Sequence, residues 1–330
     1  MKSSFDIVFM GHFARDTIIS PIGDVSNSLG GGVTFGTLTA YHYDTSQKIG
    51  VFSEIGKDFD TSWFDIFGSK IYLDGVGTHS GHSTHFKIEY FPEGGRQLTL
   101  ESQAAPLQFK NLPEPMLNSK GYMLSSIANE ISFDFIKDLV DNTRGLIGID
   151  IQGFIRDFQP DGRINTDPLP ELIKNMHKIL DYCGKRLILK ASDDELAYIA
   201  DCTNVVENTK KISEMGDFLL CTTLGPHGSL IKHRNEKMIH IPAFMPDNEI
   251  IDETGAGDCY LSAFLSEYIN SDYSWKEIKR CGYIASCAAS FSLEHKGPYG
   301  FGTKQQVDDR LQKMNTIPSP YHKNVKYNNL

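Results

Sequence analysis

Short apolar runs, separated by amphipathic stretches, constrain this chain more than any other feature. "FDIVFMG" (5–11), "QKIGVFSEIG" (47–56), "SKIYLDGVG" (69–77), "GYMLSSI" (121–127), "GLIGIDI" (145–151), "RLILKAS" (186–192) and "DFLLCTT" (217–223) read as strands. Helical patterns fall near 34–43 and at about 131–141, 168–182 and 193–201. Such alternation predicts βαβ units and a mostly parallel sheet covered on both faces. A chain of 330 residues builds one large α/β domain or two smaller ones. No linker divides it cleanly, so the expectation is one large domain spanning 1–330 with a small accessory lid.

Two segments break the alternation. In "STHFKIEYFPEGGRQLTLES" (83–102), Phe86, Ile88 and Tyr90 alternate with His85, Lys87 and Glu89, and Leu98 and Leu100 alternate after "PEGG". Period-2 patterning about a Gly-rich turn predicts an antiparallel hairpin with one wet face. It is either edge decoration or a lid over a substrate. "GSLIKHRNEKMIHIPAF" (228–244) predicts a second, structural hairpin. Histidines 79, 82 and 85 lead into the first hairpin, where His82 and His85 would face opposite ways. A polar lid surface is preferred there to a metal cluster. The tail "NTIPSPYHKNVKYNNL" is polar and broken by proline, so loose order is expected over 315–330.

A net charge of −10 disfavours a broad nucleic-acid or anionic-membrane surface, so an anionic substrate needs its own local anchor. The start has one lysine and a short apolar run interrupted by Asp6, which suits a strand better than a signal peptide. No apolar run approaches the roughly 20 residues of a membrane span. The cysteines at 183, 202, 221, 259, 281 and 287 form no CxxC pair and mostly sit in apolar segments. Reduced core thiols in a cytoplasmic protein are therefore expected.

The stretch "DETGAGDCYLSAF" (252–264) carries the chemistry. Apolar residues from Tyr260 onward recur at 260, 261, 264, 265, 268 and 269, which predicts a helix with a buried face. Its start lies in the TGAGD stretch, with Thr254 a candidate cap. First-turn N–H groups lack partners inside a helix, and the dipole adds positive charge. Gly255, Ala256 and Gly257 leave an anion room to approach them. Asp258 has two readings: a carboxylate favoured by the helix dipole, or a base that takes a proton from a hydroxyl attacking phosphorus.

This motif resembles the D-x-T-G-A-G-D signature of the ribokinase-like (PfkB) carbohydrate kinases. The resemblance implies a three-layer αβα sandwich with a mostly parallel central sheet and a small β lid, contributed from about 13–33 and 78–102. It implies that Asp258 is the catalytic base, that Gly255, Ala256 and Gly257 form the anion hole, and that Asp252 and Thr254 adjoin a monovalent cation such as K+. "GHFARDTI" resembles the first strand and sugar-binding aspartate, here Asp16. "GGGVTFG" (30–36) resembles the di-glycine hinge, so Gly31 and Gly32 would approach the substrate. The family's sugar-binding asparagine is replaced by Phe35 or Gly36, depending on register.

The same resemblance extends further. "KASDDELAYIA" (190–200) is similar to an N-x-x-E element, with Ser192 in place of Asn on the nucleotide side and Glu195 organising Mg2+ through water. "TTLGPHGSL" (222–230) resembles a nucleotide-binding turn with Thr223, Gly225 and Gly228; by itself it reads as a hairpin turn. "GIDIQGFIRD" (148–157) ends a strand with Gln152 and Arg156, where α/β proteins gather ligands. Arg156 is thus a substrate or phosphate contact, or a surface arginine. This run and "EHKGPYGF" (294–301) are weakly similar to an inositol and nucleoside kinase-like sub-branch. The second also falls where the family closes its adenine pocket.

The reading is an ATP- and Mg2+-dependent kinase acting on a hydroxyl of a small sugar, cyclitol or nucleoside, with myo-inositol or a related cyclitol preferred. Neither nucleic acid nor membrane is an expected partner. Members of the family often pair through lid strands, and the hairpin has apolar residues for such a homodimer. A silent sugar- or nucleotide-binding protein on the same fold is the rival. An oxidoreductase is disfavoured because no G-x-G-x-x-G fingerprint is present.

Overall fold

The computed structural model describes residues 4–165, 169–200 and 204–321. Cys202 and the tail beyond 321 lie outside them. The N-terminal part runs β1 (Phe5–Met10), β2 (Ala14–Ile19), β3 (Val25–Gly30), α1 (Gly32–Tyr43), β4 (Ile49–Gly56), β5 (Ile71–His79), β6 (Thr84–Tyr90) and β7 (Arg96–Ser102). The middle holds β8 (Ser119–Leu124), α2 (Phe133–Asn142), β9 (Leu146–Asp150), α3 (Gln152–Ile155), α4 (Pro170–Cys183), β10 (Leu187–Ser192), α5 (Asp193–Ala200) and α6 (Val205–Ser213). The last part is β11 (Leu219–Thr223), β12 (Ser229–His233), β13 (Ile239–Ile241), α7 (Ala256–Tyr268), α8 (Trp275–Ser292) and α9 (Lys304–Lys313).

Nine strands form one sheet in the order β13-β12-β11-β10-β9-β8-β1-β4-β5. Its pairings are parallel except at the β11–β12–β13 edge, where the expected hairpin at 228–244 adds two antiparallel strands. The strands are apolar because both faces are covered. In β1, Val8 and Met10 face one core while Ile7 and Phe9 face the other. The first core joins residues of α2, α4, α5 and α6 to the sheet, and the second joins α1, α7 and α8. These are the three layers of an αβα sandwich.

Helix α7 departs from the sequence expectation of one buried face. Every residue from Cys259 to Tyr268 is buried. The helix lies between α1 and α8 and rests on the sheet, so no side is left for water. Gly148 of β9 helps, since a Cβ there would already touch Leu261.

A second sheet has the order β3-β2-β6-β7. The 83–102 hairpin is present as expected, with Lys87 opposite Thr99 and Ile88 opposite Leu98. Strands β2 and β3 form another hairpin, and β2 pairs in parallel with β6, aligning Asp16 with Phe86. Phe86 and Ile88 turn inward and pack with Ala14, Ile127 and Ala128. The small sheet thereby covers the ends of the parallel strands, where Asp150, Ser192 and Thr223 terminate β9, β10 and β11. Among the described residues, no helix is long and apolar enough to cross a membrane. The five described cysteines are free and buried.

Candidate active site

The start of α7 is bare of side-chain caps. Gly255 holds the N-cap position with φ +80°, and no side chain accepts from the first turn. Thr254 therefore does not cap the helix. Its hydroxyl instead accepts from Arg96 Nη1 at 3.0 Å. A residue with a Cβ at 255 would be strained by the left-handed conformation and would overlap the Phe35 ring. Ala256 N donates weakly to Glu253 O at 3.4 Å, and the other first-turn N–H groups and the dipole face outward to meet an anion.

Two cavities meet at this helix start. The inner one, ≈ 90 Å³, lies under the small sheet and is lined by Asp16, Gly31, Gly32, Phe35, Gln152, Arg156, Thr254, Gly255 and Asp258. Every substrate-side residue expected from the sequence is in its wall. The outer one, ≈ 260 Å³, is lined by Thr223, Gly225, Gly228, Ala256 and Gly257, with Tyr260, Phe244 and Leu293 among its apolar walls. The expected anion hole is thus the partition between the two: Gly255 faces the inner cavity, and Ala256 and Gly257 face the outer one.

Small residues make the partition thin. A Cβ on Gly32 would overlap Asp258 Oδ1, and one on Gly30 would overlap the Asp16 carboxylate. Both aspartates are enclosed by protein except where they face the cavity. Burial raises Asp16 to about 7 against the opposing charges of Arg96 and Arg156. Burial likewise pushes Asp258 well above the carboxylate range; Asp150 adds to this, and Lys190 and Arg156 oppose it. The Arg156 guanidinium donates to Ile127 O at 3.0 Å and lies 5.8 Å from the centre of the Phe86 ring. It is no surface arginine.

Three expected residues line neither cavity. Ser192 N donates to Glu195 Oε2 at 2.7 Å, and Glu195 N donates to Ser192 Oγ at 3.2 Å. That reciprocal pair is a capping box at the start of α5. Asp252 tethers two loops, accepting from Thr254 N at 2.9 Å and from Gly297 N at 3.2 Å.

Two residues escaped the sequence reading. Arg96 opens β7, lines the inner cavity and reaches across to Thr254. Nothing in the pattern of a hairpin marks one arginine as inward-reaching. Lys190 lies in β10, its ammonium 2.9 Å from Asp150 Oδ2 and 3.9 Å from Glu195 Oε2. Here a signal was present: a lysine interrupts the apolar run "RLIL", and buried lysines are rare unless paired. Burial alone would depress the lysine pKa, but Asp150 and then Glu195 outweigh it and keep the ammonium charged.

The PfkB family carbohydrate kinase model matches residues 163–304. A nucleoside kinase of Methanocaldococcus jannaschii is 37% identical over 284 residues, covering 81% of this chain and 82% of the relative. The chain belongs to the PfkB family of carbohydrate kinases. A cytidine kinase of Thermococcus kodakarensis is 24% identical over 80% of this chain and 88% of its own length. A pyrophosphate-dependent kinase of the ribokinase family, solved with a pyrophosphate analogue and myo-inositol, shares the fold at TM-score 0.72. It is 20% identical and covers 93% of this chain and 100% of its own. This PfkB chain is accordingly a sugar or nucleoside kinase with the ribokinase fold.

Proposed function

We propose that the chain transfers the terminal phosphoryl group of ATP to a ribose hydroxyl of a nucleoside. We read residues 1–330 as one kinase domain whose small sheet is its lid. The observation that carries the acceptor is a groove of ≈ 670 Å³ outside the inner cavity, sharing Arg96 with it and walled by Ile18, Pro21, Tyr90, Ile250 and Ile251. A sugar ring suits the small polar inner cavity, and a flat base suits the wider groove, where apolar walls and the Tyr90 ring lie beside Arg96, Asp252, Glu253 and Lys296. A cyclitol, the preference from sequence, leaves that groove unused. The similarity to nucleoside and cytidine kinases supports the same choice.

In this reading Asp16, Arg156 and Gln152 hold the acceptor. Asp258 accepts the hydroxyl proton as the acceptor oxygen bonds to phosphorus and the bond to the departing ADP oxygen breaks. The first-turn N–H groups of α7 face the charge on the transferred group. The outer cavity with Thr223, Gly225 and Gly228 takes the nucleotide. Among the described residues, no three His, Cys, Asp or Glu form a metal cage. This fits Mg2+, which keeps its waters and binds chiefly to substrate phosphates. Glu195, as the resemblance implies, and Asp150 beside it across Lys190 would hold it through water, and bound Mg2+ would supply neutralisation of phosphate charge. The groups expected near K+, Asp252 and Thr254, already accept from Thr254 N, Gly297 N and Arg96, so no step is routed through K+.

The test is phosphorylation of a panel holding cytidine, adenosine, ribose, fructose 6-phosphate and myo-inositol. Cytidine or adenosine should give the highest kcat/KM; preference for myo-inositol would overturn the acceptor assignment. Asp258→Asn should fold normally and lose at least about 100-fold in kcat. Near-wild-type turnover in that variant would remove Asp258 as the base.

A further inference from the structure

The buried ammonium of Lys190 has no part in the scheme above, and its position gives it one. Strand β10 places Lys190 beside Asp150 of β9 in the parallel register, two residues before the last pair of β10 with β11. Asp150 fixes the ammonium at 2.9 Å. A Cβ on Gly257 would stand 2.7 Å from Lys190 Nζ and 3.0 Å from its Cε. Gly257 is itself in the wall of the nucleotide cavity and in the first turn of α7. The charge therefore lies directly behind the uncapped N–H groups, and the missing side chain at 257 leaves nothing but a backbone methylene beside it. A purely structural ion pair has no need of a glycine there or of proximity to an anion hole. Burial of such a pair is seldom a net gain in stability.

We propose that Lys190 is a catalytic residue of the phosphoryl transfer, its ammonium joining the α7 N–H groups on the oxygens of the group in flight. The inference rests on the phosphoryl-transfer reading. The acceptor oxygen bonds to phosphorus, the bond to the ADP oxygen breaks, and the hydroxyl proton passes to Asp258. Lys190 keeps its proton throughout and stabilises the oxygens of the moving group as charge redistributes over them.

Calorimetry with ADP–Mg2+, in the presence and absence of aluminium fluoride as a mimic of the transferred group, tests this without an acceptor. Lys190→Met should bind ADP–Mg2+ as the wild type does and lose about 100-fold in affinity for the aluminium fluoride complex. Its kcat on whichever acceptor the wild type prefers should fall by a similar factor, with acceptor KM unchanged. Equal affinity of variant and wild type for the mimic would overturn the proposal. So would a parallel loss of affinity for ADP alone, which marks a structural role. If Asp150 left without its partner prevents folding, Lys190→Gln, which keeps a hydrogen-bond donor beside Asp150, is read by the same two titrations. Wild-type binding of the mimic with no acceptor turned over would sink the acceptor assignment and leave the role of Lys190 standing.

Discussion

A single methyl group at position 257 would reach the ammonium of Lys190, and one at position 32 would reach the carboxylate of Asp258. Site chemistry here depends on atoms that are missing as much as on those present. The enclosed carboxylates show the energetic side of that closeness. Asp16 has a folded pKa of about 7 against 3.8 for the free side chain. The folded state thus holds this proton more tightly. The resulting stabilisation is complete below about pH 4 and is lost as pH rises through about 7. Asp16→Asn should therefore leave melting unchanged near pH 3.5 and make the chain more stable than the wild type at pH 8, while acceptor binding weakens. Equal effects at both pH values would contradict the enclosed-charge account. Asp258 gives the kinetic counterpart. A base works deprotonated, so kcat/KM should decline toward low pH with an acid limb well above the ordinary carboxylate value of about 4. A limb near 4 would mean that the base is fully solvated.

Between elements, the decisive contact joins β7 to the loop before α7. Arg96 Nη1 donates to Thr254 Oγ1 at 3.0 Å and to the Tyr90 hydroxyl at 3.4 Å, linking the small sheet to the helix start. Arg96→Gln should raise acceptor KM several-fold and increase ATP hydrolysis without acceptor, because the cover over the cavity is less firmly held. Unchanged hydrolysis and KM would show that the link is incidental. Elements with a strong period were readable from sequence: the parallel strands, the 83–102 hairpin and α7. The motif DETGAGD showed the helix start and its small residues because those properties are local. Arg96 was not readable as a site residue, since its partner Thr254 lies 158 positions away; the lysine after RLIL signalled a buried pair, but not its partner Asp150, 40 positions back. Ser192 and Glu195 carry a signal that serves two ends, and in the fold they satisfy each other at a helix start.

At the scale of the molecule, two apolar cores flank one sheet, and a polar seam holds the C-terminal helix to that body. Arg310 of α9 is 3% exposed, donates to Glu294 Oε1 at 2.6 Å and lies over the Phe291 ring. Glu294 also accepts from Asp247 N and Asn248 Nδ2, so one carboxylate gathers three chain segments. Arg310→Ala leaves that carboxylate buried with its cation removed and should cost about 3 kcal/mol, read as a lowered denaturant midpoint. A change below about 0.5 kcal/mol would mean that water takes over the role of the guanidinium.

The small sheet comes from two hairpins that leave the main sheet after β1 and after β5 and return to it. Its residues line one side of the inner cavity, whereas the lining of the outer cavity comes wholly from the second half of the chain. In the proposed reading, acceptor choice is thus divided between two short hairpins and the strand end and helix start that carry Gln152, Arg156 and Asp258. A chimaera carrying both hairpins of a relative exchanges one wall of the inner cavity and leaves the opposite wall, with Gln152, Arg156 and Asp258, as it stands.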